Sequence, residues 1–142
     1  MKTFVPGAIA SASEVNANFQ ELQTDINALK ATGWQNATMS SDWSHGGTLK
    51  IKKHGTLFEI RGQIGKGANG NDFVQKGTYS SVATLPSGYR PSESVQLHLG
   101  GWELTDPQEV PAGMAVITNA GVVNIYVTTA AYSFRLNGVF GS

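Results

Sequence analysis

Apolar residues recur near the start of the chain at Val15, Phe19, Leu22, Ile26 and Leu29, separated by four, three, four and three positions. This is a seven-residue repeat, with Phe19 and Ile26 at a and Val15, Leu22 and Leu29 at d. Asn16, Gln20, Glu21, Asp25 and Lys30 fall outside the stripe. Ser11 and Glu14 have the spacing of a capping box, in which each end satisfies the other's backbone N–H. Gly33 offers a stop. The pattern predicts a helix over 11–33. It can pack as an amphipathic helix on its own domain or as a short parallel coiled coil. The narrow stripe, and the lack of any later helical pattern to pair with it, favour the coiled coil. Three heptads are marginal alone, so such an oligomer needs further contacts.

Beyond residue 34 the period falls to two. Leu49 and Ile51 alternate with Lys50 and Lys52, and His54-Gly55 predicts a tight turn into Phe58, Ile60, Gly62 and Ile64. Val95, Leu97 and Leu99 alternate with Gln96, His98 and Gly100. Asn119-Ala120-Gly121 predicts a turn from Val116 into Val123, Ile125 and Val127, and Tyr132 to Phe140 alternate to the end. About eight strands with one buried face predict an antiparallel β-sandwich or barrel of the jelly-roll kind over 34–142. The expected fold is therefore mainly β, with one N-terminal helix.

Composition narrows the function. The 142 residues carry 10 Lys+Arg against 10 Asp+Glu, a formal net charge of zero, which disfavours a nucleic-acid binder or a polybasic membrane-surface protein. No apolar run is long enough for membrane insertion as a helix. Met1–Ala12 is too short and too interrupted by Pro6 and Gly7 for a secretory leader, so none is expected. The absence of Cys excludes disulfides, thiolate metal sites and a cysteine nucleophile.

Several motifs carry little. Gly65 to Gly70 matches G-x-G-x-x-G, but Asn71-Asp72-Phe73-Val74 follows without a helical pattern, so a connecting loop is expected. His45, His54 and His98 have no metal-ligand spacing, and no metal or cofactor is expected. No G-x-S-x-G elbow is present, and the carboxylates have no spacing that selects a glycosidase pair, so no enzyme is expected. The tryptophans say more. Trp34 follows the helix and is expected at the junction. Trp43 lies in a loop-like stretch with Asp42 and His45; Trp102 follows Gly100-Gly101 on the alternation of His98. An indole beside carboxylate, imidazole and guanidinium suits a saccharide, whose C–H face stacks while its hydroxyls bond. The candidate binding residues are Asp42, Trp43 and His45, with Arg90, His98 and Trp102 behind them. The plainer reading of these indoles is that they fill an interface between subunits.

Two segments carry a resemblance. Val5-Pro6-Gly7 through Ala10-Ser11-Ala12 to Asn16 and Phe19 resembles the opening of many bacteriophage tail and baseplate proteins, where it precedes a coiled coil. Leu85-Pro86-Ser87-Gly88-Tyr89-Arg90-Pro91 is similar to a turn in the head domains of siphophage receptor-binding proteins, those of lactic-acid-bacteria and Listeria phages above all. The resemblance implies a homotrimer in the virion: a segment 1–10 docking to other tail or baseplate proteins, a stem of Val15, Phe19, Leu22, Ile26 and Leu29, and a β head that binds host cell-wall saccharide. A structural fibre or collar subunit without a sugar site, and a glycan-degrading tail enzyme, are the alternatives. This chain has almost no shoulder between helix and head.

Overall fold

A computed structural model describes residues 1–43, 48–102 and 109–142. The helix α1 spans Ala12–Leu29. Its capping box is formed: the Glu14 N–H donates to Ser11 Oγ at 3.3 Å, and the Ser11 N–H donates to Glu14 Oε2 at 3.3 Å. Those bonds from Ser11, with Lys2 nearby, hold the Glu14 carboxyl below its ordinary value. The helix ends before Gly33, a correction to the expected stop. Lys30 turns extended. Ala31 then bridges His54, and Thr32 bonds Lys53 both ways, N–H to carbonyl at 2.8 Å and Lys53 N–H to Thr32 Oγ1 at 2.9 Å. Tertiary hydrogen bonds to a strand outcompete the last turn of helix.

The strands are β1 (Gln35–Asn36), β2 (Thr38–Met39), β3 (Lys50–His54), β4 (Leu57–Gly65), β5 (Gly77–Thr84), β6 (Val95–Trp102), β7 (Glu109–Ile117), β8 (Val122–Val127) and β9 (Ser133–Gly141). Their order is β1-β3-β4-β9-β6-β7-β8-β5-β2 and every pairing is antiparallel. The edge strands β1 and β2 are separated in sequence only by Ala37, whose N–H bonds the Leu49 carbonyl at 2.8 Å. One sheet therefore curls until its two edges are consecutive residues. This nearly closed antiparallel sheet removes the open edges that invite aggregation. Both expected turns are present, at Gly55 between β3 and β4 and at Gly121 before β8.

Alternation puts Ile51, Phe58, Ile60, Ile64, Leu99, Ile125, Phe134 and Leu136 inside, fully buried. Each such side chain stabilises the fold by about 1.5–3 kcal/mol through removal from water. Gly62 lies on this inward face because nothing larger fits: a methyl group there would stand 2.5 Å from the Thr48 carbonyl oxygen. The close approach of Thr48-Leu49 to β4 depends on that missing side chain.

Register divides the barrel into two ends. At one end lie the β3–β4 turn, the β7–β8 turn and the C-terminus, where the Ser142 N–H bonds Thr56. The helix leaves from this end, tied by Thr32 to Lys53 and by the Tyr89 hydroxyl to Thr32 Oγ1 at 3.1 Å. At the far end lie Gly65 closing β4, Trp102 closing β6, Ser133 opening β9, and the Ser41–Trp43 turn. None of the apolar residues of α1 is buried by the rest of the chain.

Candidate functional site

The far end and the outer face beside it bring polar and aromatic groups together. On β6 the outward positions are His98, Gly100 and Trp102; on β9 they are Arg135 and Asn137; Glu109 opens β7 opposite Trp102. Pairing of β6 with both β7 and β9 brings these three strands side by side. The Arg135 guanidinium lies over the Trp102 indole at 5.1 Å and reaches Glu109 at 3.8 Å. Between them runs a shallow groove of about 370 Å³, lined by His98, Gly100, Glu109, Pro111, Arg135 and Asn137.

Glycine and a bulge shape this groove. The register of β6 against β7 slips between Leu99 and Gly100, which re-aims the strand, as bulges do. Gly100 has no side chain where a methyl would overlap the Glu109 carboxylate. The groove thus offers a carboxylate acceptor, a guanidinium and an amide, with an imidazole at its end. Both members of the Arg135–Glu109 pair are about half exposed, so the pair contributes little to stability and stays free to exchange partners.

Beside the groove, Phe73 packs against Tyr132 with ring centroids 5.0 Å apart and planes tilted at 57°, and the Tyr132 N–H donates to the Trp102 carbonyl at 3.2 Å. Phe73 is exposed. Lys66 sits over the Tyr79 ring at 5.4 Å. Gly65 closes β4, and Lys66 to Gly70 form a loop with no helix after them, as expected for a connection rather than a dinucleotide site.

The residues singled out from the sequence separate. His98 and Trp102 meet on the outer face of β6, and His98 lines the groove. Asp42 is exposed in the Ser41–Trp43 turn, and its backbone carbonyl accepts from Gly67 at 3.0 Å. Trp43 does not present a platform. Its side chain is 4% exposed and joins the core, meeting Tyr79 edge-on. A loop-like sequence rich in Ser and Gly concealed a short 3-10 turn that drives the indole inward. His45 lies outside the described residues. Arg90 is at the opposite end of the barrel, where its Nε donates to the Leu85 carbonyl at 3.4 Å and its side chain packs on Gly121. Arg90 therefore belongs to a turn near the stem and is remote from the groove. Sequence reading missed Arg135 and Asn137. Their only signal is their outward place in the last alternating strand, and that signal gains meaning only once β9 is known to pair with β6.

Trp34 lies at the helix–barrel junction as expected, with Lys52 over its ring at 4.7 Å and Arg61 at 5.4 Å. Lys52 and Arg61 both pair with Glu59, and His54 Nε2 lies 3.1 Å from its Oε2. Partial burial favours the protonated acid, but bonds from His54, Lys52 and Arg61 outweigh it and hold the Glu59 carboxyl below its ordinary value. Among the described residues, no cluster of three or more His, Asp or Glu is placed to hold a metal ion, and no helix is long and apolar enough to cross a membrane.

No protein-family model matches the sequence, and no curated protein matches it. Among solved structures, the receptor binding protein (gp15) of Listeria phage PSA is similar, with a TM-score of 0.54 and 18% identity over 95% of this chain and 83% of that chain. That likeness covers helix and barrel together, and it agrees with the resemblance carried by the Pro6-Gly7 and Leu85–Pro91 segments. At this identity it establishes a shared fold: the chain has the fold of a phage receptor binding protein.

Proposed function

We propose that this chain is a receptor-binding protein of a phage tail or baseplate that attaches the virion to a saccharide of the host cell wall. The observation that carries this reading is the fold shared with the Listeria phage protein across both helix and barrel. The groove at His98, Glu109, Arg135 and Asn137, with Trp102 beside it, supplies the chemistry. The carboxylate accepts hydroxyl protons, the guanidinium and amide donate, and the far-end aromatics offer faces to sugar C–H groups. A shallow groove of this kind binds weakly, with a Kd of about 10⁻⁴–10⁻³ M per site. Several copies on one particle multiply that affinity without new contacts. Attachment needs no bond breaking, and no catalytic role is proposed.

A homotrimer supplies the copies. Two features support self-association. The stripe on α1 is uncovered, with Phe19 66% and Leu29 71% exposed. The contiguous strands β6, β7, β8 and β5 carry one charged residue, Glu109, whereas β3, β4 and β9 carry Lys50, Lys52, Lys53, Glu59, Arg61 and Arg135. On the uncharged face Met114 and Tyr126 are 40% and 39% exposed, a composition suited to burial against another subunit. Segment 1–10, which precedes α1 and folds back along it as far as Glu21, is the part proposed to meet other tail or baseplate proteins.

The test is a glycan array probed with the labelled full chain, alongside sedimentation of the chain with purified cell walls. Binding to a defined saccharide class that is competed by the free sugar supports the reading. No binding to any array member or cell wall, with the oligomer intact, favours a structural fibre subunit. Release of reducing ends from cell-wall glycan would instead indicate a degrading enzyme.

A further inference from the structure

The Leu85–Pro91 turn takes no part in the groove. Its local chemistry aims one side chain. The Tyr89 N–H donates to the Pro86 carbonyl at 3.2 Å, and Gly88, at φ +86, takes the left-handed position that such a four-residue turn reserves for glycine. Neighbouring elements hold the turn in place. The Leu85 N–H donates to the Gly121 carbonyl at 2.8 Å, the Arg90 side chain packs on Gly121, and Ser92 Oγ donates to the Ser142 carbonyl at 3.4 Å. The Tyr89 ring lies against Phe58 with centroids 6.1 Å apart, and its hydroxyl reaches Thr32.

Thr32 stands in the segment that joins helix to barrel. α1 ends at Leu29, and Ala31 already bridges His54, so Lys30 is the one residue between helix and sheet. From Ala31 to Asn36 the chain runs antiparallel beside β3: Ala31 opposes His54, Gln35 opposes Ile51 and Asn36 opposes Lys50. Between the first two pairs, residues 32–34 stand against only Lys52 and Lys53. This is a bulge, and it sets Trp34 beside Lys52 and Arg61. A bulge leaves its extra residue unpaired and weakens the ladder locally. Thr32 compensates. Its Oγ1 accepts from the Lys53 N–H at 2.9 Å and from the Tyr89 hydroxyl at 3.1 Å, the two bonds that a hydroxyl oxygen can accept. Its own N–H donates to the Lys53 carbonyl at 2.8 Å. Leu29 comes up to the β3–β4 turn, where a methyl group on Gly55 would lie 3.5 Å from its Cδ2.

We infer that Tyr89 and Thr32 form a latch that fixes the direction of α1 on the barrel, so that the helix and the groove at the far end move as one body. Both are positioning residues, since neither lines the groove. The inference goes beyond the attachment reading and does not depend on it, because the contacts it uses lie within one chain. It also gives the Leu85–Pro91 turn a task of its own: carrying the Tyr89 hydroxyl to the bulged edge beside the helix.

Limited trypsin digestion of the full-length chain tests the latch, because cleavage of a folded protein tracks the population of the locally opened form. A cut after Lys30 gives fragments 1–30 and 31–142, which mass spectrometry identifies. The wild type should resist that cut. Tyr89→Phe keeps the ring on Phe58 and removes the hydroxyl; Thr32→Val keeps the β-branched shape and removes the acceptor. Tyr89→Phe should speed the cut by about five- to tenfold, the loss of one hydrogen bond, and Thr32→Val by more. Thr32→Ser keeps the acceptor and should be cut like the wild type. Hydrogen exchange at the Thr32 and Lys53 amides should rise by the same factors, while amides of β6, β7, β8 and β9 keep their protection and the barrel melts as before. Wild-type cleavage at Lys30 as fast as in the urea-unfolded chain would make the joint a free hinge and overturn the inference. Two further results overturn it: Tyr89→Phe and Thr32→Val variants that are cut and exchange as the wild type does, or variants whose exchange rises equally throughout the barrel. In the second case the two residues support the barrel and do not hold the joint.

Discussion

The Trp43 ring meets the Tyr79 ring edge-on, with centroids 5.5 Å apart and planes at 74°. The indole is buried where the Ser41–Trp43 turn closes against β5, and the Asp42 carbonyl of the same turn is bonded by Gly67. The pair therefore anchors a far-end loop to the barrel wall. Trp43→Ala should lower stability by about 3–5 kcal/mol through lost burial and a residual cavity. For a domain of this size the melting temperature should fall by roughly ten degrees or more. Thermal unfolding followed by near-ultraviolet circular dichroism checks this. An unchanged melting temperature would mean that the indole contributes no core packing.

Gly62 makes a second structural prediction. Its φ of +156 is open to other residues only at some strain, and a methyl group would press on Thr48 and Leu49 backbone atoms, which have no flexible side chain to yield. Gly62→Ala should cost about 1–3 kcal/mol, as overpacking of a filled interior does. The midpoint of urea unfolding should fall while the slope stays constant, since the surface exposed on unfolding is unchanged.

Which parts of this fold the sequence revealed follows from what each part depends on. The capping box at Ser11 and Glu14 and the turns at Gly55 and Gly121 are local, and each stands where the residues predict. The alternation from Phe58 to Ile64 and from Phe134 to Phe140 reports a buried face directly. Strand β5 does not. Its sequence is small and polar, and its register slips between Tyr79 and Ala83, where Ser81 takes a φ of 55 and its N–H is held by Asn124 Oδ1 at 2.8 Å. A bulge breaks the period of two, so no alternation marks the strand. β1 and β2 are too short to show any period; they exist because the sheet's two edges meet at Ala37. The end of α1 was misplaced because the bonds from Ala31 and Thr32 to β3 lie outside the reach of local sequence. The groove depends on three strands distant in sequence, so only His98 within it and Trp102 beside it were legible.

The Glu59 cluster sets a pH dependence. Its carboxyl titrates lower in the folded chain than its ordinary value of 4.5. A depressed carboxyl adds stability above its unfolded value and loses it as pH falls through the folded one. The acid limb of the stability curve should therefore steepen below about pH 4.5 in the wild type. Glu59→Gln should flatten that limb by lowering stability near neutrality, where the ionised carboxylate is bonded to Lys52 and Arg61, while matching the wild type once the carboxyl is protonated. Melting temperatures measured across the acid range decide this; parallel curves for the two proteins would rule the cluster out as the source.

The groove yields the prediction closest to function. Trp102 and Arg135 meet on the outer face beside the half-exposed Glu109, and neither belongs to the buried core, so their removal disturbs little of it. Trp102→Ala and Arg135→Ala should each reduce cell-wall binding at least about tenfold, the loss of roughly one good polar or stacking contact. Melting temperature should shift by only a few degrees. Gly100→Ala is the sharper probe. The added methyl overlaps the far end of the Glu109 side chain, which can swing away at small cost. That movement takes the carboxylate out of the groove and separates it from Arg135. Binding should weaken by a similar factor in a protein that unfolds like the wild type, and Glu109→Gln should reproduce the loss. If Gly100→Ala and Glu109→Gln both bind cell walls as the wild type does, the recognition surface lies elsewhere. The exposed Phe73 and its partner Tyr132, at the same end of the barrel, would then be the next residues to replace.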